Sequence, residues 1–191
     1  MPSKFDEGLS RRALLGAFAA VTTTISAAPA QAGLFGFLKG AGDVRRVKLY
    51  SQRTGEMVDT IYWVEGNYIP EAMKEINWFM RDWRRNETIS YDPRNIDIIA
   101  ATQQLLETNE PFNLLSGYRS AATNAMLRSR NRGVASKSYH IKGMAADLKM
   151  RARSVTQIAA AAQACKAGGV GRYARSNFVH VDCGPIRTWR R

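Results

Sequence analysis

Phe178-Val179-His180-Val181-Asp182 and, upstream of it, Gly143-Met144-Ala145-Ala146-Asp147-Leu148 are the stretches whose reading decides the fold. Each follows a period of two, which sends successive side chains to opposite faces of a strand. In the first, Val179 and Val181 face a core while His180 and Asp182 share the other side. In the second, Ala145 and Asp147 lie on one face and Met144, Ala146 and Leu148 on the other. If the two strands pair, Asp147, His180 and Asp182 converge on one polar patch. His140 then reaches that patch from the loop entering the first strand. His140 and His180 are the two histidines of the 191-residue chain. Two imidazoles and a carboxylate around one point suit a zinc ion with a fourth position open to water. On spacing alone, two unrelated histidines satisfied by hydrogen bonds remain an equal alternative.

Outward from these strands the pattern changes period. Val47-Lys48-Leu49-Tyr50 and the stretch from Met57 to Val64 alternate across a Thr54-Gly55 step, which predicts a β-hairpin. Pro70 suits the first turn of a helix in which Met73, Ile76, Phe79, Met80 and Trp83 recur at helical spacing. Asp92-Pro93 breaks the chain before a second helix marked by Ile96, Ile99, Leu105 and Leu106. Ser154-Val155-Thr156-Gln157 reads as a capping box opening an alanine-rich helix that Gly168-Gly169 ends. A hairpin, then helices, then strands mixed with helices is the order of an α+β domain.

The chain length suits one such domain, and 45% hydrophobic with 23% charged residues excludes disorder as the default. The net charge of +12 favours an anionic partner without choosing among nucleic acid, lipid and acidic polymer. The N-terminus narrows that choice. Ser10-Arg11-Arg12-Ala13-Leu14-Leu15 opens an uncharged run to Ala32 that ends in Ala30-Gln31-Ala32. A positive start, a short apolar middle and a small-x-small site make a cleaved export signal, and the paired arginines look like the twin-arginine type. The apolar run is too weak at Thr22 to Ser26 for a membrane span, which needs about 20 apolar residues. Residues 1–32 are therefore read as the signal, 33–46 as a flexible glycine-rich lead-in and 47–191 as the domain. The signal carries three basic and two acidic residues, so its removal lowers the charge from +12 to about +11. Cys165 and Cys183 both fall in the exported part, where they either pair as a disulfide or remain buried thiols.

Several spaced motifs then coincide. Ser138-Tyr139-His140-Ile141-Lys142-Gly143-Met144-Ala145-Ala146-Asp147 has the form S-x-H-x-x-G-x-A-x-D. Ser116-Gly117-Tyr118-Arg119-Ser120 is followed by Asn124, and Gly168-Gly169-Val170-Gly171-Arg172-Tyr173 precedes Phe178 to Gly184. Together they resemble the D-Ala-D-Ala zinc metallopeptidases with their hedgehog-like relatives. Arg81-Asp82-Trp83-Arg84 and Arg187-Thr188-Trp189 are similar to marks of the YcbK-like murein endopeptidase branch. The likeness runs from about Val47 to Trp189.

The resemblance implies a small antiparallel sheet carrying a zinc site and packed against several helices. It implies His140, Asp147 and His180 as zinc ligands, Arg119 at the substrate or the developing oxyanion, and Ser138 and Tyr118 as supporting or substrate-binding residues. Relatives carry a general base two or three residues before the last ligand. Phe178 and Asn177 stand there and cannot serve, so Asp182 becomes the first candidate, with orientation of His180 as its equal alternative. The implied activity is hydrolysis of peptidoglycan cross-links, at a D,D or L,D bond, by an exported or periplasmic monomer that binds peptide stems. A D,D-carboxypeptidase and a non-catalytic zinc domain binding wall peptides are the competing readings. The export signal and the absence of any nucleic-acid-binding motif argue against a nucleic-acid binder.

N-terminal sequencing of the exported protein should find its first residue at or near Gly33. Replacing Arg11 and Arg12 together by lysine should leave precursor in the cytoplasm; normal export of that variant would exclude the twin-arginine route.

Overall fold

The turn around Thr54-Gly55 joins β1 (Val44–Tyr50) to β2 (Met57–Val64) as the expected antiparallel hairpin, and β3 (Asn67–Tyr68) adds to its outer edge. The computed structural model describes residues 44–191, so residues 1–32, read above as an export signal, and residues 33–43 lie outside the described residues. β1 already begins at Val44, three residues ahead of the domain boundary read from the sequence.

The remaining elements are α1 (Pro70–Phe79), α2 (Pro93–Leu105), β4 (Phe112–Ser116), α3 (Ala121–Arg130), a 3-10 turn (Tyr139–Lys142), β5 (Ala145–Lys149), α4 (Val155–Ala164), β6 (Gly169–Tyr173), β7 (Phe178–Asp182) and β8 (Arg187–Arg190). The architecture is α+β, as expected, but the small antiparallel sheet is not what forms. The strands build one mixed sheet of eight in the order β3-β2-β1-β4-β5-β7-β6-β8. Two parallel pairings enlarge it. β1 meets β4 through Leu49 opposite Phe112 and Tyr50 opposite Asn113, which fuses the hairpin to the strands bearing the histidine patch. β8 adds along β6 from Gly169 opposite Arg187 to Arg172 opposite Arg190. Two residue pairs and a charged Arg-Thr-Trp-Arg strand leave little periodic signal, which is why neither joint is visible in the pattern.

The helices form where their termini are satisfied. Asp92 caps α2 by accepting the Arg94 N–H, with Pro93 supplying a preset φ at the first position. Ser154 and Gln157 make the reciprocal capping box of α4. α1 stops at Phe79, so Met80 is its cap and Trp83 lies beyond it. α4 stops at Ala164, with Cys165 as its cap, rather than at Gly168-Gly169. A Cβ on Gly168 would lie 1.8 Å from the Asp182 carbonyl oxygen, so that glycine admits the backbone of β7 and caps nothing.

α2 packs on β1 and β7, and α4 on β6 and β7, burying Ile96, Ile99 and Ile158 against Leu148, Val179 and Val181. Burying each such side chain is worth about 1.5–3 kcal/mol. Inside this core Asp97 of α2 accepts from Arg45 Nη1 at 2.8 Å, Tyr62 OH at 2.9 Å and Tyr68 OH at 2.6 Å, tying three strands to one helix. Cys165 and Cys183 do not pair, so of the two alternatives read from the sequence the buried thiols are what forms. Cys165 lies beside Thr102 of α2 and the Ala161 carbonyl, Cys183 beside the Met144 carbonyl, and both are buried free thiols. No helix among the described residues is long and apolar enough to cross a membrane.

Asp97→Ala removes the acceptor shared by a buried guanidinium and two hydroxyls. Breaking such a pair costs about 3–5 kcal/mol, so the urea midpoint should fall sharply; an unchanged midpoint would show that the network contributes nothing.

Candidate metal centre

The antiparallel register of β5 and β7 sets Asp147 directly opposite His180, and Ala145 opposite Asp182. Ser138 caps the 3-10 turn by accepting the His140 N–H at 3.3 Å, and the Arg119 N–H bonds the His140 carbonyl at 3.2 Å. These constraints bring His140 Nε2 to 3.2 Å from Asp147 Oδ1 and 3.3 Å from His180 Nδ1, while His180 Nδ1 and Asp147 Oδ1 are 2.9 Å apart.

The far nitrogen of each imidazole fixes its tautomer. His140 Nδ1–H donates to the Gly117 carbonyl at 2.7 Å, and His180 Nε2–H donates to Asp182 Oδ2 at 3.0 Å. The near nitrogens then carry lone pairs, and both point at a carboxylate oxygen that is also an acceptor. Three lone pairs at this spacing repel unless a cation or a proton sits among them. Tetrahedral ligands around zinc lie roughly 3.3–3.5 Å apart for bonds of about 2.0–2.2 Å, and the trio sits at or slightly inside that spacing. His140, Asp147 and His180 form a group of possible metal-binding side chains, with all three ligand atoms within 4.8 Å of one another.

Electrostatics agree with this arrangement. Burial works against a charged His180, yet its bonds with Asp147 and Asp182 outweigh burial and raise its pKa to about 9. Burial dominates at His140 and lowers its pKa, partly offset by the Asp147 charge. Asp147 is opposed by burial but held well below the usual carboxylate range by both imidazoles. A proton on His180 would occupy the same focus that a metal takes, so metal binding must displace it.

Support for the trio comes from three further segments. Arg119 donates from Nη2 to Asp147 Oδ2 and from Nε to Ser116 Oγ at 2.7 Å, leaving Oδ1 as the carboxylate oxygen facing the imidazoles. Arg187 grips both oxygens of Asp182, at 3.0 and 2.7 Å, and the Gly184 N–H adds a third bond at 2.9 Å. Asp182 is 0% exposed and its pKa falls to about 2, since these bonds overcome its burial. The Gly117 carbonyl is positioned by the Tyr118 N–H, which donates to the Met80 carbonyl at 2.7 Å. A Cβ on Gly117 would stand 2.4 Å from that Met80 oxygen, so only glycine admits the contact. Asp82, itself buried, takes the Ser120 N–H at 3.0 Å and its hydroxyl at 2.8 Å, anchoring the other end of the same loop.

A cleft of about 600 Å³ opens above the trio. Ser138 and Arg119 line it; Tyr118 does not, and its ring packs partly buried against the hydrophobic core. Asp182 is likewise absent from the cleft wall and lies behind His180. Gly117, Asp82 and Trp189 were not singled out as site residues from the sequence. All three belong to motifs already visible there, and the Trp189 ring centroid lies 5.3 Å from that of His180.

Asp182→Asn keeps the shape but weakens the acceptor for His180 Nε2–H. Metal affinity, read by competition with a chelator, should fall about 10–100-fold with the fold intact; unchanged affinity would refute the orienting bond.

The family described as peptidoglycan L,D-endopeptidase MepK matches residues 39–189. The peptidoglycan L,D-endopeptidase MepK of Escherichia coli (strain K12) is 46% identical over 145 residues, covering 76% of this chain and 80% of that protein. The probable peptidoglycan L,D-endopeptidase MepK of Haemophilus influenzae is 39% identical over 138 residues, covering 72% and 74%. Among solved structures, the Serratia marcescens L-Ala D-Glu endopeptidase ChiX is 19% identical, covering 50% of this chain and 68% of that one, at a TM-score of 0.35, too low to establish a shared fold. On the family match across nearly all the described residues, and on identity with curated relatives over most of their length, the chain belongs to the peptidoglycan L,D-endopeptidase MepK family.

Proposed function

We propose that this chain is an exported zinc-dependent endopeptidase that hydrolyses an L,D peptide bond in the cross-links of bacterial peptidoglycan. The observation that carries it is the convergence of His140 Nε2, Asp147 Oδ1 and His180 Nδ1, each with its other polar atom tied to the protein. The choice of an L,D bond rests on the names of the MepK relatives. The twin-arginine-like start and Ala30-Gln31-Ala32 support export to the compartment where such a wall polymer lies.

His140, Asp147 and His180 would hold the zinc. When bound, zinc polarises a substrate carbonyl and lowers the pKa of a water to about 7. The chain's own groups do the rest. The Gly117 carbonyl and Asp182 each hold one imidazole proton, so both rings stay in the ligating tautomer. Arg119 keeps Asp147 Oδ2 occupied, and its Nη1 has no protein partner among the described residues. That donor is available to a carbonyl oxygen gaining negative charge. Asp182, fully buried and held by three donors, orients His180 and is not the group that takes a proton from water.

Among the described residues, Asp147 is the one carboxylate lining the cleft. That favours a second reading, a zinc domain that binds wall peptides without cutting them. Digestion of purified cross-linked muropeptides by the zinc-loaded chain separates the two, with mass spectrometry identifying the bond. Monomeric stems should accumulate, and Arg119→Ala should lower turnover by at least about 10²-fold. Dimers that persist across pH would leave the binding reading in place.

A further inference from the structure

Five basic side chains and one acidic one line the cleft. Two of the five are already engaged: Arg119 with Asp147, and Arg187 with Asp182 behind the wall. Lys137, Arg175 and Arg191 have no ion-pair partner among the described residues. They come from three separate segments: the loop before the 3-10 turn, the β6–β7 turn and the stretch after β8.

The backbone holds these segments together. Arg191 Nη1 bonds the Gly133 carbonyl at 3.1 Å, which ties its segment to the loop carrying Lys137. Its N–H bonds the Arg172 carbonyl at 2.8 Å, and its carbonyl accepts the Ala174 N–H at 2.9 Å, next to Arg175. Tyr173 and Phe178, which line the same cleft, stack at 4.4 Å, and the Trp189 indole N–H donates to the Tyr173 hydroxyl at 3.1 Å. Cations that line one cleft without acidic partners repel one another, and an anion relieves that repulsion. The aromatic faces accept the apolar parts of a short peptide chain.

We infer that Lys137, Arg175 and Arg191 form a subsite for a free carboxylate on the peptide occupying the cleft. The inference rests on the peptidase reading for the nature of that peptide. Its consequence is discrimination: the site prefers a stem whose side-chain or terminal acid is ionised over one in which that acid is amidated. Each contact from these exposed side chains is worth up to about a fivefold difference in affinity, so the three together reach about tenfold.

The test measures binding apart from turnover. The zinc-loaded chain is titrated calorimetrically with an uncross-linked peptidoglycan stem peptide bearing free carboxylates and with its amidated counterpart. The free acid should bind about tenfold more tightly. In the Lys137→Gln, Arg175→Gln double variant that preference should vanish while zinc content stays at the level of the parent chain. Lys74→Gln removes an exposed charge from α1 and should leave the preference intact. Equal binding of acid and amide by the parent chain, or a preference that survives in the double variant, overturns the subsite. Cleavage of a cross-linked dimer, measured in parallel, reports on the peptidase reading alone, because stem binding needs no bond to break.

Discussion

Three electron pairs aimed at one point cannot rest together without positive charge between them, and much of this fold holds them there. The pairing of β5 with β7 supplies Asp147 and His180 from facing residues, while the 3-10 turn supplies His140. None of the three is free to swing away. Each imidazole is bonded at its far nitrogen, and the carboxylate is bonded at its far oxygen. A metal that binds here meets ligands already oriented, so little of its binding energy goes into ordering side chains.

The support extends well past the sheet centre. Arg81 pairs with both oxygens of Glu56 at 3.0 Å and stacks on Trp78, fixing the segment after α1. Asp82 from that segment holds Ser120, and the Met80 carbonyl holds Tyr118. Gly117, immediately before Tyr118, offers its carbonyl to His140. The Arg81-Asp82 pair therefore reaches His140 through a loop, touching none of the three residues of the trio. Arg187 of β8 does the same for His180 through Asp182.

Much of this was legible in the sequence, for a physical reason. Period-two alternation in 178–182 and 145–148 specifies a face, and two strands of that kind can bring their polar sides together in only a few ways. Caps at Asp92 and Ser154 are local, so they too can be read from spacing. Joints between distant strands carry no such local signature. The β1–β4 and β6–β8 pairings turned an expected small antiparallel sheet into a mixed one of eight strands. The role of Asp182 was undecidable from spacing because a carboxylate two residues after a histidine suits a base and an orienting group equally. Burial and the grip of Arg187 favour the orienting role proposed above. Tyr118 was carried by its neighbours in a motif, yet its backbone rather than its ring serves the site.

The two buried thiols have a consequence for where this architecture can assemble. Neither Cys165 nor Cys183 is cross-linked, and burial raises the pKa of both, Cys183 to about 12. The reactive thiolate is thereby suppressed and the sulfur is screened from oxidants. The native state thus depends on no oxidase or isomerase, and glutathione leaves it intact. Such a domain can reach its final form in a reducing compartment as readily as in an oxidising one.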